Sequence, residues 1–359
     1  MSIPRQSDSP LPRKKLQNRA STDRFQPLRR ALQLAFLGLN LLLGLEFFLW
    51  VHAIESGTTP SFSRPAGVEG WLPIAGLMNS KLFFMTGSIP AIHPAAMLLF
   101  LCFALISLLL KKAFCSWLCP VGTLSEILSH LGKKLFGRNL RLPRWLDLPL
   151  RALKYILLGF FFLIVCTMSV AALADFLQSP YGLIADVKML NFFRHMSQTA
   201  MLVLLLLGLL SLLVENFWCR YLCPYGALMG LLSLASPFKI RRSAPACIDC
   251  GKCATHCPAG LPVDKLVQIR SAECTACMEC ISACPSADAL HFALPIRQSA
   301  TPKKPRNLTA PQLLGLILGL FFAVVLYGRL SHHWQTPIPD SVYRELIPEA
   351  DTLAHPGMK

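Results

Sequence analysis

Five stretches of this chain are apolar enough, and about long enough, to cross a bilayer: 31–53, 92–110, 150–172, 196–214 and 311–328. A spanning helix needs roughly 20 such residues. In lipid, only helices and closed barrels satisfy their own backbone polar groups, so the expected fold is mainly α, a polytopic membrane protein of about five helices. Composition agrees: 53% of the 359 residues are hydrophobic and 15% charged, where soluble domains carry roughly 25% charged residues. Five buried helices of a soluble protein would not produce the alternation of charge that follows. Segments 1–30, 111–151 and 215–310 hold eight, eight and eleven Lys or Arg, whereas 54–91, 173–195 and 329–359 hold two, two and three. The positive-inside rule then predicts a multi-pass protein of the cell inner membrane with a cytoplasmic N-terminus and an external C-terminus. The first stretch follows about 30 polar residues and shows no evident small-residue cleavage site, so it reads as an uncleaved span. The net charge of +16 does not point to nucleic acid, because no aromatic-basic groove pattern accompanies it. The runs Arg13-Lys14-Lys15, Lys133-Lys134, Arg241-Arg242 and Lys303-Lys304 read instead as topology signals and contacts to membrane lipid headgroups.

The chain repeats itself. Phe114-Cys115-Ser116-Trp117-Leu118-Cys119-Pro120-Val121-Gly122 matches Trp218-Cys219-Arg220-Tyr221-Leu222-Cys223-Pro224-Tyr225-Gly226, with the cysteines 104 residues apart. Each copy follows an outside-to-inside span. The preceding loops echo each other weakly, Gly76-Leu77-Met78 with Lys81 against Gly182-Leu183-Ile184 with Lys188. Two parallel repeats of two spans each are therefore expected, related by an axis along the membrane normal, with the fifth span and the tail as additions.

Twelve of the fourteen cysteines fall into two constellations. Cys247, Cys250, Cys253 and Cys257-Pro258 are followed, at the same spacing, by Cys274, Cys277, Cys280 and Cys284-Pro285. This is the bacterial ferredoxin run twice over, in which the fourth cysteine of each run ligates the other cluster. Cys247, Cys250, Cys253 and Cys284 are expected to hold one [4Fe–4S] cluster, and Cys274, Cys277, Cys280 and Cys257 the second. Zinc ribbons use paired Cys-x-x-Cys without this doubling, and disulfides are disfavoured on a reducing side. The second constellation is Cys115 and Cys119 with Cys219 and Cys223. Cysteines four apart share one side of a helical turn. Two such pairs offer four thiolates suited to a further cluster, a copper ion or a redox-active dithiol. Cys102 and Cys166 lie within spans without sequence partners and read as packing residues.

The paired Cys-x-x-x-Cys-Pro motifs followed by the doubled ferredoxin run resemble, over residues 31–290, the polyferredoxin-type membrane iron-sulfur proteins. These comprise NapH-type quinol dehydrogenase subunits, NosR-type proteins and FixG/CcoG-type oxidase-assembly proteins. The resemblance implies electron transfer among the eight ferredoxin cysteines, Cys115, Cys119, Cys219 and Cys223, and a membrane or external partner, often through the quinone pool. The chain departs from each subgroup. It has about 30 polar residues where NosR-type proteins carry an external flavin-binding domain, a tail of about 30 residues where FixG-type proteins carry a folded domain, and a span beyond the point where NapH-type chains usually stop. The expected organisation is a basic segment 1–30, a membrane domain 31–235, a two-cluster α+β ferredoxin-like domain 236–298, and a linker, fifth span and tail over 299–359.

A quinone or proton site would need polar groups near the membrane. Glu46, about 10 Å from the outer end of its span at 1.5 Å per residue, is one such intramembrane carboxylate. His93 and His195 stand at equivalent points of the repeats and could bond a quinol hydroxyl; Asp175 and Asp186 are weaker candidates. The leading expectation is a relay between quinone or quinol and a redox partner protein, a ferredoxin-type or periplasmic reductase subunit. The alternative is a copper-reducing or metal-handling factor for oxidase assembly, and a third is a redox-sensing regulator.

Overall fold

The computed structural model describes residues 25–140, 142–294 and 307–356. Most of the basic segment 1–30, with its run Arg13-Lys14-Lys15, and Lys303-Lys304 of the linker lie outside the described residues. The chain is mainly helical. The first repeat comprises α1 (Phe25–Glu55), a 3-10 turn (Ala66–Trp71), α2 (Pro73–Thr86), α3 (Pro94–Leu110), the short α4 (Ala113–Trp117) and α5 (Pro120–Phe136). The second follows the same order: α6 (Arg144–Thr167), α7 (Val170–Gln178), α8 (Pro180–Leu183), α9 (Ala185–Arg194), α10 (Gln198–Leu213), a π turn (Trp218–Leu222) and α11 (Pro224–Leu232).

Packing repeats with the sequence. Helix α1 lies against α4 and α5, as α6 lies against the π turn and α11. The repeats also cross over: α3 packs on α11, and α10 packs on α5. Each repeat thus supplies the neighbour for the other's post-motif helix. In the segments that precede α3 and α10, a Cβ on Gly76 would lie 2.8 Å from the Ala96 carbonyl and from Phe100 Cβ. One on Gly182 would lie 2.3 Å from the Phe176 carbonyl. The weak sequence echo therefore marks two points where backbone must pass close to its neighbour.

Among the described residues, three helices are by themselves long and apolar enough to cross a membrane: α1, α6 and α14 (Ala310–Leu330). Their large apolar side chains, among them Leu41, Ile156, Leu163 and Leu326, lie on the surface, as lipid contact requires. The other two expected spans differ from the expectation. Helix α3 has 17 residues, 12 of them buried, and packs against α2, α11 and α14; it is the centre of the bundle rather than a lipid-facing span. The stretch 196–214 forms one helix, α10, of only 16 residues, and the helix before it, α9, meets it at 82°. The break falls at Ser197, whose hydroxyl accepts from the Ala200 N–H and caps α10, a preferred N-cap arrangement. Helix α6 starts earlier than its hydropathy suggests, carries Pro149 in its second turn, and ends at Thr167. Ser169, whose side chain accepts from the Ala172 N–H, then caps α7.

The tail folds back onto the C-terminal end of α1 and the segments around Val68 and Ile184. Helix α15 (Asp340–Leu346) and the residues after it bury Tyr343, Ile347 and Ala350 against Phe47, Trp50 and Val51 of α1 and Val68, Ile184 and Val187 of the loops. On the opposite side, β1 (Lys239–Arg242) and β2 (Leu290–Ala293) pair antiparallel, with Lys239 opposite Ala293. Two one-turn helices, α12 (Lys252–Thr255) and α13 (Glu279–Ser282), pack together between them in sequence.

Candidate iron-sulfur centres

The two ferredoxin runs adopt the same backbone. Asp249 and Gly251 in the first, and Ala276 and Met278 in the second, all have positive φ, between 51° and 70°. For residues other than glycine this region is sparsely populated and persists where the surroundings over-determine it. It turns successive N–H groups towards the thiols: Cys253 accepts from Ala254, Cys274 from Ala276, and Cys277 from Glu279. The fold then sorts the eight cysteines into two groups. Cys247, Cys250, Cys253 and Cys284 line one small cavity, and Cys257, Cys274, Cys277 and Cys280 line another. The fourth cysteine of each run sits with the first three of the other.

The Cys-x-x-x-Cys-Pro-x-Gly motif has a local physical basis. Cys119 and Cys223 are the N-caps of α5 and α11, and their sulfurs accept from the Gly122 and Gly226 N–H groups at 3.4 and 3.2 Å. Pro at the first helical position suits its fixed φ and missing donor. The helix N-terminus favours negative charge on the capping sulfur. All four cysteines line a single cavity of about 100 Å3 under the ferredoxin-like domain. Lys112, buried, lines the same cavity: burial alone would strip its proton, but Cys115, Glu273, Cys223 and Cys219 hold it on. Burial pushes the Cys115 thiol up to about 11 and the Cys219 thiol up to about 12. Thiolates here are stabilised by positive charge beside them, which Lys112 supplies in part and a bound metal centre would add to. Among the described residues, no three His, Cys, Asp or Glu side chains converge tightly enough for one metal ion. A cube spreads its thiolate ligands over separate corners, so the three cysteine-lined cavities fit clusters better than single ions.

The glycines of the two motifs are not equivalent. A Cβ on Gly122 would lie 2.3 Å from the Cys115 carbonyl, whereas one on Gly226 would meet Cys223 Sγ at 3.4 Å and Lys112 Nζ at 3.5 Å. Gly122→Ala is expected to displace Cys115 and lower iron content, while Gly226→Ala retains it; iron analysis of both variants checks this.

Several residues at this site carry no sequence signal. Arg29, 1% exposed, pairs with Glu126 at 2.6 Å and Glu279 at 2.8 Å, joining α1, α5 and the ferredoxin-like domain. Lys154 pairs with Glu273 at 2.7 Å. Ser116 and Trp117, inside the first motif, donate to the Thr275 and Ala276 carbonyls. Their counterparts Arg220 and Tyr221 bond Asp147 of α6 instead. The first motif holds the ferredoxin-like domain and the second holds α6.

A larger cavity, about 850 Å3, runs between α1, α3 and α14 from Arg64, Arg329 and His332 to Cys119, Cys223 and Tyr225. Glu46 lines it; the two histidines do not. His93 is fully buried, with its ring nitrogens 3.3 Å from Glu69 and 2.9 Å from the Gly182 carbonyl. His195 is exposed beside Asp351 at 3.3 Å. The structure thus separates two residues that the repeat aligned. Asp186 accepts from Arg64 Nε at 2.7 Å in the cluster around Glu69; Asp175 belongs to neither cavity. Of the two residues expected to pack, Cys102 is buried and Cys166 is exposed.

Glu69, also without sequence signal, accepts from Arg64 at 2.9 Å and Thr336 at 2.7 Å. Burial would raise its carboxyl, but Arg64, His93 and Thr336 hold it at about 2, below its ordinary 4.5. This stabilisation is complete above about pH 4.5 and is lost as pH falls towards 2; it is on the order of 3 kcal/mol. Hydrogen exchange across 336–350 is expected to stay protected from pH 7 to near 4 and to rise steeply below.

These features define a membrane-bound iron-sulfur protein. The chain belongs to the polyferredoxin-type iron-sulfur protein family. A 4Fe-4S binding domain model matches twice, at 92–139 and 196–243, and a 4Fe-4S dicluster domain model matches 239–285. The chain is 53% identical over 328 residues to YccM of Escherichia coli, whose name assigns it to electron transport, covering 91% of each protein. It is 24% identical to the ferredoxin-type protein NapH of Escherichia coli over 73% of this chain and 86% of NapH. It is 33% identical to the regulatory protein NosR of Pseudomonas aeruginosa, over 50% of this chain and 24% of NosR. No solved structure matches the chain.

Proposed function

We propose that the protein relays electrons between a membrane quinone and an electron carrier at the cytoplasmic face of the inner membrane, through three [4Fe–4S] centres. The single observation behind this reading is the sharing of walls. Cys119, Cys223 and Tyr225 line both the large cavity and the four-cysteine cavity. Cys277, Thr275 and Pro258 line both the four-cysteine cavity and the Cys257, Cys274, Cys277, Cys280 cavity. The Cys247, Cys250, Cys253, Cys284 group stands last, with Cys250 exposed, where a soluble ferredoxin-type partner has access. A bound cluster supplies one-electron transfer; the protein supplies spacing, N–H donors and countercharge.

In this reading the Cys115, Cys119, Cys219 and Cys223 quartet holds the third cluster rather than copper, since both motifs fall in the 4Fe-4S binding domain matches. Five passes, α1, α3, α6, α10 and α14, place the N-terminus and the domain 236–298 in the cytoplasm and the tail outside, in keeping with the Lys and Arg distribution. The relatives' names, electron transport for YccM and ferredoxin-type for NapH, agree with this role. Anaerobic addition of decyl-ubiquinol to the full-length protein tests it. Reduction of the ferredoxin-type signals supports the relay, and signals that respond to dithionite but to no quinol overturn it.

A further inference from the structure

We infer that Tyr225 anchors a quinone ring at the inner end of the large cavity, its phenol donating a hydrogen bond to one ring carbonyl. This rests on the relay reading and adds where the headgroup sits and what holds it.

The cavity has two polar ends and an apolar middle formed by Phe36, Leu99, Phe103 and Phe321. At the outer end Glu46 is half-buried, and the other charged groups are either already engaged or in water. Arg64 is bound by Glu69 and Asp186, and Arg329 and His332 are exposed. Ligand sites are mostly apolar, with a few placed polar groups, and the inner end has that character. There Tyr225 stands beside Cys119, Cys223, Val121 and Trp218. Its ring is fixed by Phe100 at 5.8 Å and by Phe114 at 5.9 Å, edge to face. The position of Oη is therefore set before anything binds, which lowers the ordering cost of binding. Oη makes no hydrogen bond to any described residue. Tyr225 is half-buried and lines the cavity, so this hydroxyl is open to a ligand there, and a ring carbonyl can accept from it.

The repeat sharpens the point. Val121 holds the equivalent position in the first motif and lines the same cavity. The hydroxyl is thus supplied from one side only, which orients a ring with two carbonyls. An inner site also sets the ring against the wall shared with the four-cysteine cavity, so no electron has to cross the roughly 30 Å hydrocarbon core in one step.

The test uses purified full-length protein and oxidised decyl-ubiquinone, with affinity from equilibrium dialysis and hydrogen bonding from the infrared carbonyl stretch of the bound quinone. In the wild type, one carbonyl should be shifted to lower frequency. In Tyr225→Phe that shift should vanish and Kd should rise about two- to tenfold, the range for one net hydrogen bond. Two free carbonyls in the wild type would overturn the assignment without any variant. Wild-type binding in Tyr225→Phe together with weakened binding in Glu46→Gln would put the ring at the outer end and also overturn it. So would unchanged binding in Tyr225→Phe with a displaced midpoint potential of the four-cysteine centre, since the hydroxyl would then serve that centre. Absence of decyl-ubiquinone binding to the wild type would defeat the relay reading itself, a result distinct from failure of Tyr225 alone.

Discussion

Replacing Cys219 with serine is expected to reduce quinol-driven reduction of the ferredoxin-type centres to background while dithionite still reduces them. Cys219 lines the cavity between the large cavity and Cys277 and none of the cavities around the other eight cysteines. A serine oxygen is a poor substitute for a soft thiolate at iron, so the middle centre alone should be lost. Iron should fall from about twelve to about eight per chain, the content of two remaining [4Fe–4S] clusters. Unchanged iron and turnover would make the motif cysteines packing residues. Loss of bound copper with intact quinol turnover would favour the metal-handling alternative.

Lys112→Met is expected to lower the midpoint potential of the same centre by roughly 60–180 mV. The lysine is the buried cation among Cys115, Cys219 and Cys223, and its counterpart in the second repeat, Asn216, lines the same cavity without charge. An opposite charge within about 4–6 Å typically shifts an ionisation by 1–3 pK units, and for a one-electron couple each tenfold change corresponds to about 59 mV. Reduction adds negative charge that Lys112 stabilises, so removing the ammonium makes reduction harder. Methionine keeps the unbranched apolar stem, which separates the loss of charge from the loss of packing. Redox titration followed by electron paramagnetic resonance checks the sign. Lys111→Met is the comparison, because Lys111 Nζ bonds the Ser271 carbonyl and lies outside the cavity lining; its midpoint should move little.

The repeat and the cysteine spacing were readable because their signals are local. A turn of two cysteines, a proline and a glycine specifies its own backbone, and it recurs in the sequence 104 residues later. The charges that complete the site were not readable. Lys112 and Lys154 look like the flanks of spans, and only folding sets them against Cys115 and Glu273. Arg29 belongs to a basic segment, yet it is buried between two carboxylates 97 and 250 residues away. Hydropathy overestimated the straight spans for a similar reason. It registers apolar content, but the break before α10 depends on Ser197 as a cap, and the shortness of α3 is tolerated because other helices surround it. His93 and His195 were aligned by sequence, but Glu69 and Thr336 enclose the first while the second stays at the surface. Glu46 lines the large cavity, since one residue on one helix face needs no distant partner to do so.

The most direct measurement is iron and acid-labile sulfide on protein purified without oxygen, together with Mössbauer spectra. The account predicts about twelve iron and twelve sulfide per chain, all in [4Fe–4S] form. Zinc or copper in place of iron, or iron without sulfide, would contradict it.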